Sequence, residues 1–197
     1  MKIAKIINNS SAEVKGHFSD VIYLQGCRRN CGYCFNPELI PFNSGKEISK
    51  HDIINSLSEF SDVVVITGGE PLYQDIDVDD LIIEIRERTE KKIILETSLI
   101  VRIVYDKCDK VLFTFKSFDV INEWDIDYIN HYDNIIPCVV IGHKWFDFDG
   151  YKKILKGLKK PLFYRFYNGR LQKFNEVFRL AKIYNVELKR LDKICLD

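Results

Sequence analysis

The sequence has no excess charge of either sign and no long hydrophobic run. Lysine plus arginine number 29, aspartate plus glutamate also number 29, and the formal net charge is zero. A neutral chain lacks the broad positive surface with which proteins bind nucleic acid or anionic membranes, and we expect neither partner. No apolar stretch reaches the roughly 18 residues of a membrane-spanning helix. The first residues, MKIAKIINNS, contain no apolar core of a signal peptide, so we expect a cytoplasmic protein.

The sequence also lacks internal repeats, low-complexity segments and any stretch that resembles a linker. Its 197 residues are enough for a sizeable buried core, and a composition of 46% hydrophobic and 29% charged residues is typical of a globular protein. Because no such boundary divides the chain, we expect a single domain over residues 1–197.

Cysteine, in contrast, is present in a pattern that predicts a function. Cys27, Cys31 and Cys34 lie within eight residues. A disulfide framework is typical of short secreted chains, so the clustered cysteines instead predict metal ligands in a reducing compartment. Three other cysteines are scattered, and we expect them to be small buried residues. These are Cys108, Cys138 and Cys195.

Short apolar runs alternate along the chain with segments of helical periodicity. Several of the runs are continuously apolar, as in parallel strands that are buried on both faces. The predicted strands are Lys2–Ile7, Val21–Leu24, Val63–Ile66, Lys91–Leu95, Val111–Phe115, Ile135–Ile141 and Leu162–Phe166. The predicted helices lie near residues 49–60, 78–89, 99–107, 118–131, 149–158 and 171–184.

This alternation, repeated about six times, predicts a parallel sheet with right-handed crossovers. A flat, doubly wound sheet and a barrel both fit the pattern. A complete eightfold barrel needs about 250 residues, so a curled sheet in this chain would form a partial barrel. In either architecture the chemistry belongs to the loops at the C-terminal ends of the strands.

The clustered cysteines follow the predicted strand Val21–Leu24 with the spacing C-x3-C-x2-C. Thiolates are the usual protein ligands of iron–sulfur clusters. Three cysteines would leave one iron of a four-iron cluster without a protein ligand, and an open coordination position is typical of reactive metal sites. A structural zinc site is the alternative, but it needs a fourth ligand such as His51 or a distant cysteine.

A second loop, Thr67–Leu72, follows the predicted strand Val63–Ile66 and contains Gly68-Gly69-Glu70-Pro71. Two adjacent glycines let a backbone approach a ligand closely, and a glutamate accepts hydrogen bonds from an ammonium group. Three further predicted strands end in polar residues, for which ligand binding and ordinary strand-end polarity are both open. These ends are Glu96-Thr97-Ser98, Lys116-Ser117 and Gly142-His143.

The cysteine spacing and the glycine loop together resemble the radical SAM (S-adenosylmethionine) superfamily. The resemblance implies an α/β fold, a partial (β/α)6 TIM-type barrel with parallel strands. It also implies two cofactors, a [4Fe–4S] cluster held by Cys27, Cys31 and Cys34, and SAM, whose amino and carboxylate groups bind the open iron. One electron from the cluster then cleaves SAM, and the resulting radical abstracts a hydrogen atom from the substrate.

The same resemblance implies further contacts to SAM. Tyr33 is expected near the adenine, Glu70 at the methionyl amine, and the backbone of Ile141 beside the adenine. The other SAM-binding residues that it implies are Gly68, Gly69, Pro71, Thr97, Lys116 and Ser117. His143, which follows Ile141 closely in the chain, is expected to be incidental.

A narrower resemblance lies just after the third cysteine. The segments Cys34-Phe35-Asn36-Pro37-Glu38 and Phe42–Glu47 resemble the activating proteins of anaerobic ribonucleotide reductase, which commonly carry a C-x-N-P-E segment. This resemblance implies that the substrate is a glycine residue of a partner glycyl-radical enzyme, from which the activase removes a hydrogen atom. It also implies a flavodoxin- or ferredoxin-type electron donor.

Two alternatives stay open. The glycine loop, Leu95-Glu96-Thr97 and Phe115-Lys116-Ser117 also resemble 7-carboxy-7-deazaguanine synthase, which rearranges a small pterin-derived substrate. That family often has Asp-Thr after the third cysteine, where this chain has Phe35-Asn36, so the activase is favoured. A non-enzymatic iron–sulfur or zinc scaffold that binds a partner needs no SAM loop, so Gly68-Gly69-Glu70 argues against it.

Overall fold

The structure, a computed structural model, describes residues 1–116, 122–144, 146–167 and 174–196. The chain divides into two compact units. The first comprises Met1–Asn30, Asn36–Val111 and Lys193–Asp197, and the second comprises Cys31–Phe35 and Leu112–Asp192. Within the described ranges, none of the helices combines the length and the apolar character that a membrane span requires. The expected single domain over residues 1–197 stays a prediction.

The strands of the first unit follow the order β3-β1-β2-β4-β5. They are β1 (Lys2–Ser10), β2 (Ser19–Leu24), β3 (Lys46–Glu47), β4 (Val63–Gly68) and β5 (Lys92–Thr97). β1 pairs antiparallel with both β2 and β3, whereas β2, β4 and β5 pair in parallel. Residues Val63–Ile66 of β4 are fully buried, as the continuous apolar run predicts.

The helices of the first unit are α1 (Lys50–Asn55), α2 (Asp75–Arg88) and α3 (Arg102–Tyr105). Ser49 caps α1, because its hydroxyl oxygen accepts a hydrogen bond from the backbone N–H of Asp52 at 3.1 Å. α2 buries the apolar set that recurs at helical spacing in the sequence. These residues are Val78, Leu81, Ile82 and Ile85.

In the second unit the strand order is β6-β7-β8-β9. The strands are β6 (Lys110–Phe115), β7 (Ile135–Ile141), β8 (Leu162–Phe166) and β9 (Leu188–Arg190), and the helices are α4 (Glu123–His131), α5 (Phe148–Gly157) and α6 (Phe174–Ile183). β7, β8 and β9 pair in parallel. β6 begins in the first unit, with Lys110 and Val111, and continues in the second.

Each predicted strand and each predicted helix is confirmed in the structure; β7 and β8 have the predicted bounds, and the bounds of the other elements are shifted. Residues 118–121 and 171–173, which were predicted to be helical, lie outside the described residues. The strands β3 and β9 were not predicted. They contain two and three residues, too few to show an alternation of apolar and polar side chains.

The helix predicted near residues 49–60 ends early, at Asn55, because the residues after it bind a buried carboxylate. The side chain of Asp20 is fully buried and accepts hydrogen bonds from the N–H of Ser58 at 2.9 Å and from the Ser61 hydroxyl. Lys91 Nζ lies 3.7 Å from the Asp20 carboxylate and donates to Ser58 O at 2.6 Å. A buried charge is stable only with such partners, so residues 58–61 form a loop around Asp20.

Replacing Asp20 by alanine is expected to lower the free energy of unfolding by about 3–5 kcal/mol, because the nearly buried Lys91 ammonium loses its counter-charge. The midpoint of urea unfolding, followed by circular dichroism, measures this loss. Lys152→Ala removes an exposed ion pair with Asp149 and is the matched control, with an unchanged midpoint. An Asp20→Ala midpoint equal to that of the wild type would show that the carboxylate does not support this part of the fold.

Candidate functional site

The C-terminal ends of β2, β4 and β5 meet in the first unit, as predicted for parallel strands. The backbone N–H of Gly69 donates to Leu24 O at 2.9 Å, and the N–H of Glu70 donates to Gly26 O at 2.9 Å. The glycine loop is therefore hydrogen-bonded to the backbone that immediately precedes Cys27.

Both glycines of this loop are required by its close approach to that backbone. Gly68 has a φ of +130°, and a Cβ there would lie 2.3 Å from Leu24 O. A Cβ on Gly69 would lie 2.3 Å from Gly26 O and 2.8 Å from Leu39 O. Any side chain would push the loop away, since atoms cannot approach so closely. We predicted a close approach to a ligand, and the approach that the structure shows is to the chain's own backbone.

Glu70, which is 3% exposed, joins the end of β4 to the end of β5. One carboxylate oxygen accepts from the N–H of Leu72 at 3.3 Å and from the Thr97 hydroxyl. The other accepts from the N–H of Ser98 at 2.8 Å and from the Ser98 hydroxyl at 2.6 Å. These donors satisfy the carboxylate within the protein. The predicted contact of Glu70 with the methionyl amine stays a prediction, and Ser98 is a partner of Glu70 that sequence reasoning missed.

The backbone at Cys27 is held by the segment that follows the third cysteine. The N–H of Gly26 donates to Leu39 O at 2.9 Å, and the N–H of Cys27 donates to Ile40 O at 3.0 Å. Residues Pro37–Leu39 form a short 3₁₀ helix, which leads the chain back to this point. The loop that starts at Cys27 is therefore closed by backbone hydrogen bonds.

Two further side chains support the loop in the first unit. The buried amide of Gln25 donates to Pro41 O at 2.8 Å. The backbone N–H of Arg29 donates to Cys27 Sγ at 3.4 Å, and the guanidinium of Arg29 donates to Ser98 O at 3.4 Å. Sequence reasoning missed both residues, because neither contact follows from spacing along the chain.

Tyr33 anchors the Cys31–Phe35 segment in the second unit. Its side chain is 7% exposed, and its hydroxyl donates to Lys116 O at 2.8 Å. Its ring stacks on the His143 ring, with centroids 3.7 Å apart and planes inclined by 12°, and the Tyr167 ring contacts it edge-on at 6.5 Å. These partners follow β6, β7 and β8, so the C-terminal ends of three strands receive the segment.

The imidazole of His143 is itself held in place. It is 7% exposed, and Nε2 lies 3.0 Å from Val140 O. Because a carbonyl can only accept, Nε2 carries the proton. Burial lowers the pKa of His143, an effect that the bond to Val140 opposes and the charge of Lys116 reinforces, so the ring is neutral at pH 7. We expected His143 to be incidental, whereas the structure places it against a residue of the cysteine segment.

Three of the remaining predicted site residues lie in different surroundings. The carbonyl of Ile141, which is buried, accepts from the N–H of Tyr167 at 2.9 Å. Pro71 is buried at the start of the 3₁₀ helix Pro71–Gln74. Ser117 lies outside the described residues. Contacts of these residues with SAM stay predictions.

The six cysteines differ in burial, and they form no disulfide among themselves. The clustered cysteines are half-buried, while Cys108 and Cys138 are buried as predicted. Burial raises the pKa of Cys108 to about 12, so its thiol stays protonated and is a poor metal ligand. Cys195 is exposed, and its predicted burial was wrong. Ile194, its neighbour in an extended segment, is fully buried, and neighbouring side chains of such a segment point to opposite sides.

Among the described residues, no group of three histidine, cysteine, aspartate or glutamate side chains is arranged to hold a metal ion. This finding gives no support to a zinc site, in which all ligands surround one ion. In a [4Fe–4S] cluster each thiolate binds a different iron, so the sulfur atoms lie farther apart. Cys27, Cys31 and Cys34 fit such a cluster in their chemistry, since all three thiols are partly accessible.

Replacing Gly69 by alanine is expected to separate the glycine loop from the end of β2 and to lower the free energy of unfolding by about 1–3 kcal/mol, the usual cost of overpacking. Hydrogen exchange at the Glu70 amide, which is bonded to Gly26 O, should become faster. Gly16→Ala is the matched control: its φ of +78° makes alanine strained there too, but a Cβ meets nothing within 4 Å, so the strain lies outside the glycine loop and the Glu70 amide should exchange at the wild-type rate. Unchanged exchange in Gly69→Ala would contradict the close contact.

Comparison with known proteins identifies the type of domain. A family model described as a 4Fe-4S single cluster domain matches residues 15–129, a segment that includes the clustered cysteines and the glycine loop.

Two curated relatives match shorter segments. Over 72 residues the chain is 42% identical to a protein of Haemophilus influenzae named as a glycyl-radical enzyme activating enzyme, and the match covers 34% of this chain and 27% of that protein. Over 51 residues it is 45% identical to a 7-carboxy-7-deazaguanine synthase of Aquifex aeolicus, and the match covers 25% of this chain and 23% of the synthase. The chain thus spans about a quarter of the length of each relative.

The fold is also similar to a solved structure, that of QueE from Escherichia coli. The TM-score is 0.61 at 16% identity, and the similarity covers 97% of this chain and 93% of QueE. At this identity the similarity shows the fold alone. It confirms the predicted α/β class, the partial barrel of a radical SAM core. The predicted cofactors, a [4Fe–4S] cluster and SAM, agree with this fold and with the family model.

Proposed function

We propose that this chain, which belongs to the 4Fe-4S single cluster domain family, is an activase that produces a glycyl radical on a partner enzyme. The radical SAM superfamily, predicted from the cysteine spacing and the glycine loop, is confirmed by the family model and the relatives. The activase reaction is the finer proposal. The similarity to the Haemophilus influenzae protein and the exposed segment after the cysteines support it.

The proposed cluster ligands are Cys27, Cys31 and Cys34. When bound, the cluster supplies the electron that cleaves SAM reductively. The chain's own residues hold and orient these groups. The hydrogen bond from the N–H of Cys27 to Ile40 O fixes the backbone that carries the first thiol. At the end of β5, Glu70 binds Thr97, which is one of the proposed SAM contacts, and Ser98.

The proposed SAM-binding residues are Tyr33, Gly68, Gly69, Glu70, Pro71, Thr97, Lys116, Ser117 and Ile141. The structure limits how Tyr33 can take part. One face of its ring is covered by the stacked imidazole of His143, so an adenine contact would use another part of the ring.

The observation that carries the activase proposal is the exposure of the segment after the third cysteine. Residues 41–47 of the first unit are all exposed, and Phe42 among them is 41% exposed. Aromatic side chains are enriched in surfaces that bind another macromolecule, so this segment is suited to docking a partner. The proposed substrate, a glycine in a loop of a partner enzyme, needs such a surface, as does a flavodoxin- or ferredoxin-type electron donor.

A second candidate is a 7-carboxy-7-deazaguanine synthase that acts on a small pterin-derived substrate. The match to the Aquifex aeolicus synthase favours it. The residues after the third cysteine argue against it, because Phe35-Asn36 stands where that family often has Asp-Thr. Phe35 offers no oxygen in place of the aspartate, and Asn36 stands where the threonine of that family helps to bind magnesium.

Alanine at any one of Cys27, Cys31 and Cys34 is expected to abolish binding of the cluster, because each thiolate holds one iron. Iron and sulfide content after anaerobic reconstitution is the measurement, and the wild type should bind about four irons. Cys195→Ala is the matched control, since this exposed thiol lies outside the cluster segment and its loss should leave the iron content unchanged. Stoichiometric zinc without iron in protein purified anaerobically would rule out this ligand set.

Anaerobic mixing of the chain with SAM, a reductant and a ribonucleotide reductase is expected to produce a glycyl-radical doublet in the electron paramagnetic resonance spectrum. Glu38→Lys should reduce the yield of this radical about tenfold, which corresponds to the loss of one good contact in docking. Cleavage of SAM without the partner should fall much less, because Glu38 is exposed in the segment proposed to meet the partner.

Glu59→Lys is the control for that experiment, since Glu59 is also exposed but lies in the loop before β4. Its radical yield should equal that of the wild type. No radical on the reductase, together with conversion of 6-carboxytetrahydropterin to a deazapurine, would overturn the activase in favour of the synthase.

A further inference from the structure

Within the second unit, two aromatic side chains of the Cys31–Phe35 segment contact other rings, Tyr33 on His143 and Phe35 on Tyr167, and only Tyr33 is buried. Tyr33 is almost fully buried, whereas Cys31 and Cys34 on either side of it are half-buried and Gly32 is exposed. The segment has no regular secondary structure, and the N–H of Cys34 donates to Cys31 O at 3.0 Å in a tight turn. The direction of both thiols in this turn therefore depends on how Tyr33 is held.

Two contacts of different kinds act on the tip and on one face of Tyr33, in addition to the edge-on ring of Tyr167 and the ammonium of Lys116, which lies 5.7 Å from the ring centroid. Its hydroxyl donates to Lys116 O at 2.8 Å, which fixes the tip of the side chain. The imidazole of His143 covers one face of its ring at 3.7 Å and nearly parallel, which fixes the plane of the ring. A hydrogen bond at the tip alone would leave the ring able to turn about its long axis, so its plane depends on the contacts of the ring, of which the stack on His143 covers a whole face.

His143 is suited to this role because its own orientation is determined. The bond from Nε2 to Val140 O at 3.0 Å prevents rotation of the imidazole, and Val140 belongs to the buried strand β7. The ring is neutral at pH 7, so it stacks on the phenol ring without adding a charge close to Lys116. The backbone of the core strand β7 therefore orients the His143 ring, and the His143 ring orients the plane of Tyr33.

We propose that His143 is a positioning residue for Cys31 and Cys34. It acts through the stack on Tyr33 and sets the geometry of the turn that carries both thiols, without contact to a cofactor or to the substrate. That these thiols bind the cluster rests on the proposed function. The positioning of the segment does not, and it can be measured in protein without cluster or SAM.

Hydrogen exchange of the cluster-free chain, followed by mass spectrometry of peptides that contain residues 31–35, tests the proposal. In His143→Leu, which fills a similar volume but cannot stack, the Cys34 amide should exchange about three- to tenfold faster, the factor expected for a lost aromatic pair. His143→Phe keeps a ring that can stack but loses the bond to Val140 O, so its exchange rate should lie between those of the wild type and His143→Leu. His131→Ala, an exposed histidine in the same unit, is the matched control and should change nothing at residues 31–35.

Tyr33→Phe separates the two contacts, because it removes the bond to Lys116 O and keeps the stack. Alone it should leave the Cys34 amide more protected than His143→Leu does, and the double variant should exchange faster than either single variant, because both contacts are then lost. If His143→Leu fails to fold by circular dichroism, the pair His143→Phe and His143→Asn gives the same comparison, because both are planar but only phenylalanine offers an aromatic face. Wild-type exchange at residues 31–35 in the variants without an aromatic ring would overturn the proposal.

A second readout uses the reconstituted chain. If Cys31 and Cys34 hold the cluster, His143→Leu should broaden or shift the electron paramagnetic resonance signal of the reduced cluster at unchanged iron content, and His143→Phe should change the signal less. A wild-type chain that binds no iron would refute the proposed function. The positioning role would then be tested by hydrogen exchange alone, which needs no cluster. Faster exchange with an unaltered cluster signal would show that the stack merely stabilises the segment, and it would also overturn the proposal.

Discussion

The site in the first unit depends on one close contact between two stretches of backbone, the glycine loop and the end of β2. The loop donates two hydrogen bonds to the carbonyl groups of Leu24 and Gly26, and its glycines have no room for a Cβ. β2 and β4 are parallel neighbours in continuous register as far as Leu24 and Gly68. The residues before Cys27 are therefore positioned by the sheet itself, and a change in register of one residue would turn every side chain of β4 to the other face.

This contact brings Glu70 to the end of β5. Its carboxylate is buried, and a buried charge is tolerated only when donors surround it, so the residues after β5 must present the N–H and hydroxyl groups of Ser98. Each oxygen already accepts from two donors within the protein. A ligand ammonium that binds Glu70 would have to replace one of them. The hydroxyl groups of Thr97 and Ser98 can rotate away at small cost, whereas the backbone N–H of Ser98 cannot.

Periodicity and motif spacing predicted the elements that depend on local sequence. The buried run Val63–Ile66 has the composition of a central parallel strand, and the loop after it meets the backbone before Cys27 because parallel strands end at one edge. Contacts between distant side chains were not predictable. Ser98 binds Glu70 across 28 residues, and His143 stacks on Tyr33 although the two residues lie in distant parts of the sequence. Nothing in the spacing encodes such a contact, because it arises only when the strands are assembled.

The cysteine segment is thus held by two kinds of interaction with different tolerance to substitution. The backbone at Cys27 is fixed by N–H and carbonyl groups, which every residue except proline supplies, so only the glycines opposite it are constrained. The turn from Cys31 to Cys34 is held through the side chain of Tyr33, whose ring stacks on His143 and meets Tyr167 edge-on. If His143 positions Tyr33 as proposed, substitutions after β7 alter the direction of two thiols without touching the cysteines, because the plane of a buried ring is set by the rings packed on it.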